Sequence, residues 1–187
     1  MKSKSRNLTL LTDLYQLTMM NGYLKQKRES EIAVFDLFFR QNGIITYSLA
    51  VGLEQAVDYL NNIRFGQEEL AYLTDLGLFD EEFIDYLKTF KFSGDVYAVP
   101  EGTVVFPGEP ILTVKAPIME AQLVETALLN IINHQTLIAS KAAKICYAAG
   151  DDAVMEFGLR RAQGPDAGIY GARAAVIGGC SSTSNVL

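Results

Sequence analysis

Between Pro117 and Gly150, the residues Leu123, Val124, Ala127, Leu128, Ile131, Gln135 and Ile138 recur at steps of three and four. That spacing gathers them on one stripe of an α-helix, a stripe that has to pack on a core. Pro117 suits the first turn, where its missing N–H is not needed, and Gly150 stops the helix. A helix of about 30 residues is roughly 45 Å long. It is not a membrane span, because Glu120, Glu125, Lys141 and Lys144 interrupt the apolar run.

The rest of the chain divides around this helix. Residues 8–28 read as a short helix closed by the basic run Lys25-Gln-Lys-Arg28, and Ile32 to Arg40 as a buried strand rich in aromatic and β-branched residues. Gly43 marks a turn. An apolar segment, Thr46 to Val51, leads into a helix over Leu53 to Leu60, and residues 67–90 form a helical region broken near Gly77. Ten acidic and three basic residues lie between Glu54 and Asp95, a pattern that suits a solvated face. From Gly94 to Pro117, short β-rich runs alternate with Pro-Glu-Gly and Pro-Gly-Glu-Pro turns, predicting a β-hairpin unit. Biotinyl and lipoyl carrier modules carry their lysine at a hairpin tip, whereas Lys115 falls inside the last strand, just before Pro117. Beyond the long helix, Asp152 to Gly158 reads as a strand, a polar loop follows, and Gly168 to Ile177 returns to helix, so a βα unit closes the sequence.

Composition narrows the function classes. The 187 residues carry 16 Lys and Arg against 22 Asp and Glu, a net charge of −6, which argues against a nucleic-acid binder. Hydrophobic residues at 49% and charged residues at 20% describe a globular chain. The N-terminal apolar stretch breaks at Asp13, too early for a signal-peptide core. Cys146, Cys180 and His134 do not make a zinc site, and two cysteines are no disulfide scaffold, so a reducing, cytoplasmic home is expected.

Chemistry concentrates in two segments. Phe157-Gly-Leu-Arg160-Arg161-Ala-Gln-Gly164-Pro-Asp166 places adjacent arginines in a glycine-punctuated turn after a strand and before a helix. Loops at strand C-termini form the active face of βα folds, and guanidinium groups grip carboxylate or phosphate. Surface ion pairs would account for the same two residues. Gly178-Gly-Cys-Ser-Ser-Thr-Ser184-Asn185 offers hydroxyls and close backbone approach to a ligand, or equally a helix N-cap. His134, flanked by Asn133 and Gln135, suits a hydrogen-bonded structural role as well as an acid–base one. No nucleophile–histidine–carboxylate triad and no Walker phosphate loop can be assembled.

Taken in order, Leu10-Leu-Thr-Asp13-Leu-Tyr15-Gln-Leu-Thr-Met19, Phe38-Phe-Arg40, Gly52-Leu-Glu54, Glu156-Phe-Gly-Leu-Arg-Arg-Ala-Gln-Gly-Pro-Asp166 and Gly178-Gly-Cys-Ser-Ser-Thr-Ser-Asn185 resemble the nicotinate phosphoribosyltransferase family. The resemblance implies an α/β fold. Residues 1–117 would be an N-terminal α/β domain with a β-hairpin unit, and residues 118–187 the connecting helix and first βα unit of an irregular barrel of type II phosphoribosyltransferase kind. It implies transfer of a phosphoribosyl group from 5-phosphoribosyl 1-diphosphate to nicotinate in NAD salvage, coupled to ATP and assisted by Mg2+, in a cytoplasmic homodimer.

The resemblance also suggests roles for individual residues. Tyr15 would stack on the pyridine ring from across a dimer interface, Phe157 would face it, and Arg160, assisted by Arg161, would meet acidic or phosphate groups. Ser184 stands where nicotinamide-using relatives carry an aspartate; a hydroxyl donates to nicotinate's carboxylate, which an aspartate would repel. The stretch after Arg40 lacks the Pro-Phe common in the family, and residues 41–45 receive no role. The family's phosphorylated catalytic histidine is expected beyond Leu187, and His134 is not its equivalent. No catalytic or metal-binding residue is therefore assigned, and the 187-residue piece is expected not to turn over alone. A non-catalytic binding or dimerisation remnant, or a quinolinate- or nicotinamide-type relative, is the alternative.

Overall fold

The computed structural model of the chain describes residues 6–40 and 46–186. The turn expected at Gly43 lies outside them. Among the described residues, six α-helices and seven short strands follow in this order: α1 (Leu14–Lys25), β1 (Ile32–Leu37), β2 (Ser48–Leu49), α2 (Leu53–Asn62), α3 (Gln67–Asp75), α4 (Glu81–Lys88), β3 (Asp95–Ala98), β4 (Val104–Val105), β5 (Leu112–Pro117), α5 (Ile118–Ala149), β6 (Met155–Glu156), α6 (Pro165–Ile177) and β7 (Ser182–Thr183). The architecture is mixed α/β, as expected. Among the described residues, no helix is long and apolar enough to cross a membrane.

The chain packs as two compact units that interleave along the sequence. One holds the residues up to Phe35 with Ala56–Tyr97 and Thr113–Leu128; the other holds Asp36–Gln55, Ala98–Leu112 and the chain from Leu129 onward.

In the first unit, large apolar side chains make the core: Leu17 and Met20 of α1, Leu73 of α3, Phe83 and Leu87 of α4, and Met119, Leu123 and Val124 at the start of α5 are all buried. Phe65 and Phe90 meet edge to face at 5.6 Å between ring centroids. Asp80 caps α4 by accepting from the Phe83 N–H (3.1 Å) and pairs with Lys25 (2.8 Å). The helix expected over 8–28 begins only at Leu14, because the preceding residues are tied elsewhere. Thr9 Oγ1 bonds the Arg64 carbonyl (2.8 Å) and receives the Arg64 N–H (2.9 Å). The expected break at Gly77 separates α3 from α4.

Three strands form a sheet in the order β1-β5-β3. The sequence suggests a buried strand over Ile32 to Arg40, and this is corrected. β1 ends at Leu37, lies at the sheet edge, and exposes every second residue, Ile32 and Val34 among them. Strands β3 and β5 are sheet neighbours, as a hairpin would have them, but β4 leaves the segment and pairs antiparallel with β2, Ser48 opposite Val105.

The second unit packs small residues closely. Ala139 and Ala142 of α5 share buried clusters with Val51, Ala174, Ala175 and Cys180. A Cβ on Gly178 would come within 2.5 Å of the Ala139 carbonyl oxygen, so only glycine fits there. Polar groups inside α5 are satisfied. Thr136 Oγ1 accepts from the Val51 N–H and donates to the Val51 carbonyl, both at 3.2 Å, and Ser140 Oγ accepts from the Leu49 N–H at 2.9 Å.

Candidate functional site

The second unit places two short parallel strands side by side. In the register of β6 and β7, Met155 lies opposite Ser182 and Glu156 opposite Thr183. The next residues, Phe157 and Ser184, therefore leave the C-terminal ends of neighbouring strands together. Ligands of open α/β folds bind at such ends. Glu156 holds this edge. Its Oε1 accepts from the Gly158 N–H (2.5 Å), its Oε2 from Thr183 Oγ1 (2.6 Å), and its carbonyl from the Ser184 N–H (3.0 Å). With both carboxylate oxygens engaged, Glu156 organises the edge.

After Phe157 the chain makes one 3₁₀ turn, Leu159–Arg161, before α6. Gly164 has φ +105°, a conformation glycine adopts without strain, and this turns the chain into α6 at Pro165. Gly168 admits the turn against the helix, since a Cβ there would lie 2.5 Å from Leu159 Cδ1. Asn185 completes the junction by donating from Nδ2 to the Gly168 carbonyl (3.2 Å).

The side chains on this edge face solvent. Phe157 is 61% exposed. Arg160 and Arg161 are exposed and make no hydrogen bond or ion pair among the described residues, and the same holds for the Ser184 hydroxyl. An open aromatic face, two uncommitted guanidinium groups and a free hydroxyl therefore share one edge. Such a set can receive a flat anion.

Tyr15 belongs to the first unit. It projects from α1, 51% exposed, and its hydroxyl accepts from Gln16 Nε2 (3.0 Å). Partial desolvation and the carboxylates of Glu125 and Asp13 push its phenol above the ordinary tyrosine range. Gln16 is buried, donates to Glu125 (2.8 Å) and accepts from Gln122, so the turn bearing Tyr15 is held from below.

His134 donates from Nε2 to the Ala167 carbonyl (3.3 Å), against the first turn of α6, which fits the structural alternative for this histidine. A pocket of about 810 Å³ in the first unit, edged by Arg64, Lys88 and Lys91, contains none of the residues singled out from the sequence.

Sequence reasoning missed one group. Arg173 of α6 forks onto Glu101, Nη1 to Oε1 at 3.0 Å and Nη2 to Oε2 at 2.7 Å, and Nη2 also reaches Glu54 at 2.6 Å. Glu101 Oε1 accepts in addition from the Gly52 and Leu53 N–H groups (2.6 and 3.0 Å), capping α2. The guanidinium, foremost, and these amides hold the Glu101 carboxyl below the usual range. The only sequence signals were the Gly52-Leu-Glu54 and Pro100-Glu101-Gly102 motifs, which say nothing of a shared partner at residue 173.

Residues 10–133 match the family model described as the nicotinate phosphoribosyltransferase (NAPRTase) N-terminal domain. The chain is 50% identical over 187 residues to nicotinate phosphoribosyltransferase of Bacillus subtilis, covering 98% of this chain and 38% of that protein. It is 43% identical over 181 residues to nicotinate phosphoribosyltransferase 1 of Arabidopsis thaliana, covering 95% and 32%. Among solved structures, human nicotinic acid phosphoribosyltransferase superposes with a TM-score of 0.86 at 38% identity, over 94% of this chain and 36% of that one. Nicotinate-nucleotide pyrophosphorylase from Pyrococcus furiosus gives 0.73 at 25% identity, over 100% and 41%. The chain thus spans 38% or less of the length of these curated relatives.

Proposed function

Because the chain belongs to the nicotinate phosphoribosyltransferase family, we propose that its β6–β7 edge receives nicotinate for phosphoribosyl transfer in NAD salvage. In that reaction the pyridine nitrogen attacks the anomeric carbon of 5-phosphoribosyl 1-diphosphate. The N–C bond forms, the C–O bond to diphosphate breaks, and nicotinate mononucleotide and diphosphate result. The enzyme's task is to hold a flat acid against a ribosyl carbon that gains positive charge.

The residues take the following parts. Phe157 offers its exposed face to the ring, and Ser184 donates from its hydroxyl to the nicotinate carboxylate. Arg160, with Arg161 beside it, grips carboxylate or phosphate through paired N–H donors. The observation that carries this reading is the parallel register that brings Phe157 and Ser184 out together beside two uncommitted arginines.

Tyr15 would close the ring sandwich from a second copy of the chain in a homodimer. The support is its exposure on α1 together with Leu14 and Met19, an apolar face turned outward. We also take residues 1–117 as the N-terminal domain and 118–187 as the opening of the barrel, in a cytoplasmic enzyme that couples transfer to ATP. Among the described residues, no three His, Cys, Asp or Glu side chains gather in a way that would hold a metal ion. Mg2+ would be held chiefly by the phosphates of the substrate, and no step is routed through it.

The test is calorimetric titration of the 187-residue chain with nicotinate, with nicotinamide as the counter-ligand. The expected result is preference for the acid and a loss of about tenfold or more in nicotinate affinity on Ser184→Asp, since like charges in contact are costly. Unchanged nicotinate affinity in the variant sinks the assignment of Ser184. Adding 5-phosphoribosyl 1-diphosphate, magnesium and ATP then separates a catalytic chain from one that binds without turnover.

A further inference from the structure

We propose that Cys146 and Cys180 form a reversible disulfide under peroxide, a modification site that fastens the approach to β7 onto α5. Both cysteines are free thiols. Cys180 is 7% exposed and sits in the buried cluster with Ala142 and Ala175, and Cys146, one helical turn after Ala142, packs against that cluster from α5. A Cβ on Gly179 would lie 3.3 Å from Cys146 Cβ and 3.4 Å from its Sγ, so the backbone just before Cys180 runs directly past the other thiol.

The two cysteines differ in access, and this sets the order of events. Burial, then the hydrogen bond with Cys146, pushes the Cys180 thiol up and keeps it protonated. Cys146 is half-exposed and meets the oxidant first. Its thiolate attacks one peroxide oxygen; the S–O bond forms, the O–O bond breaks, and Cys146 becomes a sulfenic acid as hydroxide leaves and is protonated to water. Cys180 then gives up its proton and attacks the Cys146 sulfur. The S–S bond forms, the S–O bond breaks, and a second water departs. Two thiols are oxidised and one peroxide is reduced.

The consequence follows from what comes after Cys180. The Ser181 N–H donates to the Val154 carbonyl (2.9 Å), and β7 begins at Ser182, two residues before Ser184. A bond to Cys146 removes freedom from this strand. The reduced form leaves it held by the two-residue β6 ladder and the side-chain bonds of Glu156 and Asn185.

The test uses the 187-residue chain treated with stoichiometric hydrogen peroxide, blocked with N-ethylmaleimide and read by intact mass and peptide mapping. The expected result is loss of two hydrogens, no maleimide added, and a Cys146–Cys180 linked peptide, all reversed by dithiothreitol. In Cys180→Ser, which leaves no resolving thiol, dimedone should label Cys146. Amide hydrogen exchange over residues 180–185 should be slower in the oxidised than in the reduced chain. Two maleimides on the peroxide-treated chain, or a disulfide found only between separate chains, overturns the site. Equal exchange in the two forms overturns its effect on β7.

Discussion

Two kinds of arginine stand in the same unit, only a dozen residues apart in sequence. Arg173 spends its guanidinium on Glu101, Glu54 and Gln135, whereas Arg160 and Arg161 have no partner among the described residues. The difference lies in what each arginine does for the fold. Arg173 ties α6 to a carboxylate that also caps α2, so the chain's own groups satisfy its donors. Arg160 and Arg161 stand on a 3₁₀ turn, donors outward, and the fold asks nothing of them. An arginine that the fold does not need is available for a ligand, and this is the physical content of the functional assignment.

Replacing each kind should therefore damage a different property. Arg173→Ala is expected to produce the largest loss of stability, about 3 kcal/mol, because it strips charge-assisted bonds from a carboxylate that is mostly covered. Arg160→Ala should stay within about 0.5 kcal/mol of the parent. Urea denaturation of both variants checks the pair. Equal stability losses would erase the distinction.

Glu101→Gln tests the other end of the same bond and adds a dependence on pH. The variant should lose about 2 kcal/mol at neutral pH, where the carboxylate is ionised. The Glu101 carboxyl titrates lower in the folded chain than in the unfolded one. Its contribution is thus complete above the unfolded value of about 4.3 and fades as pH falls through the lower folded value. The stability gap between parent and variant should narrow below about pH 4. A gap that stays constant down to pH 2 would remove Glu101 as its source.

Much of this contrast was legible in the sequence, and some was not. The order of strand, glycine-rich turn and helix around Arg160 and Arg161 could be read directly, because local chemistry (Gly164, Pro165, then helix formers) sets it. The long helix was legible from its stripe. The bond between Arg173 and Glu101 was not, since it joins residues 72 apart and neither leaves a periodic trace. The pairing of β4 with β2 escaped for a similar reason. Two-residue strands carry no alternation to read, and their partner is chosen by tertiary packing. The short helix expected from residue 8 started late because Thr9 is bonded to Arg64, again a contact invisible to spacing.

The ligand side of the comparison predicts a smaller effect. Arg160→Ala should weaken nicotinate binding by about tenfold, the worth of one charged hydrogen-bonding group, with unchanged urea midpoint. Arg160→Lys keeps the charge but not the planar fork, and should recover only part of that loss. Full recovery by lysine would mean that charge alone matters at this position.

Phe157→Leu should have the smallest effect. The ring is 61% exposed, so removing it leaves no cavity in the core, and stability should hold within about 0.5 kcal/mol. What leucine cannot supply is a flat face for the pyridine ring, worth about 1 kcal/mol or some fivefold in nicotinate affinity. Phe157→Tyr retains the face and should bind as the parent does. Fluorescence or calorimetric titration of the three proteins decides the matter: equal affinities for leucine and phenylalanine would show that the exposed ring is not part of the ligand's bed. The edge would then hold nicotinate through Arg160, Arg161 and Ser184 alone.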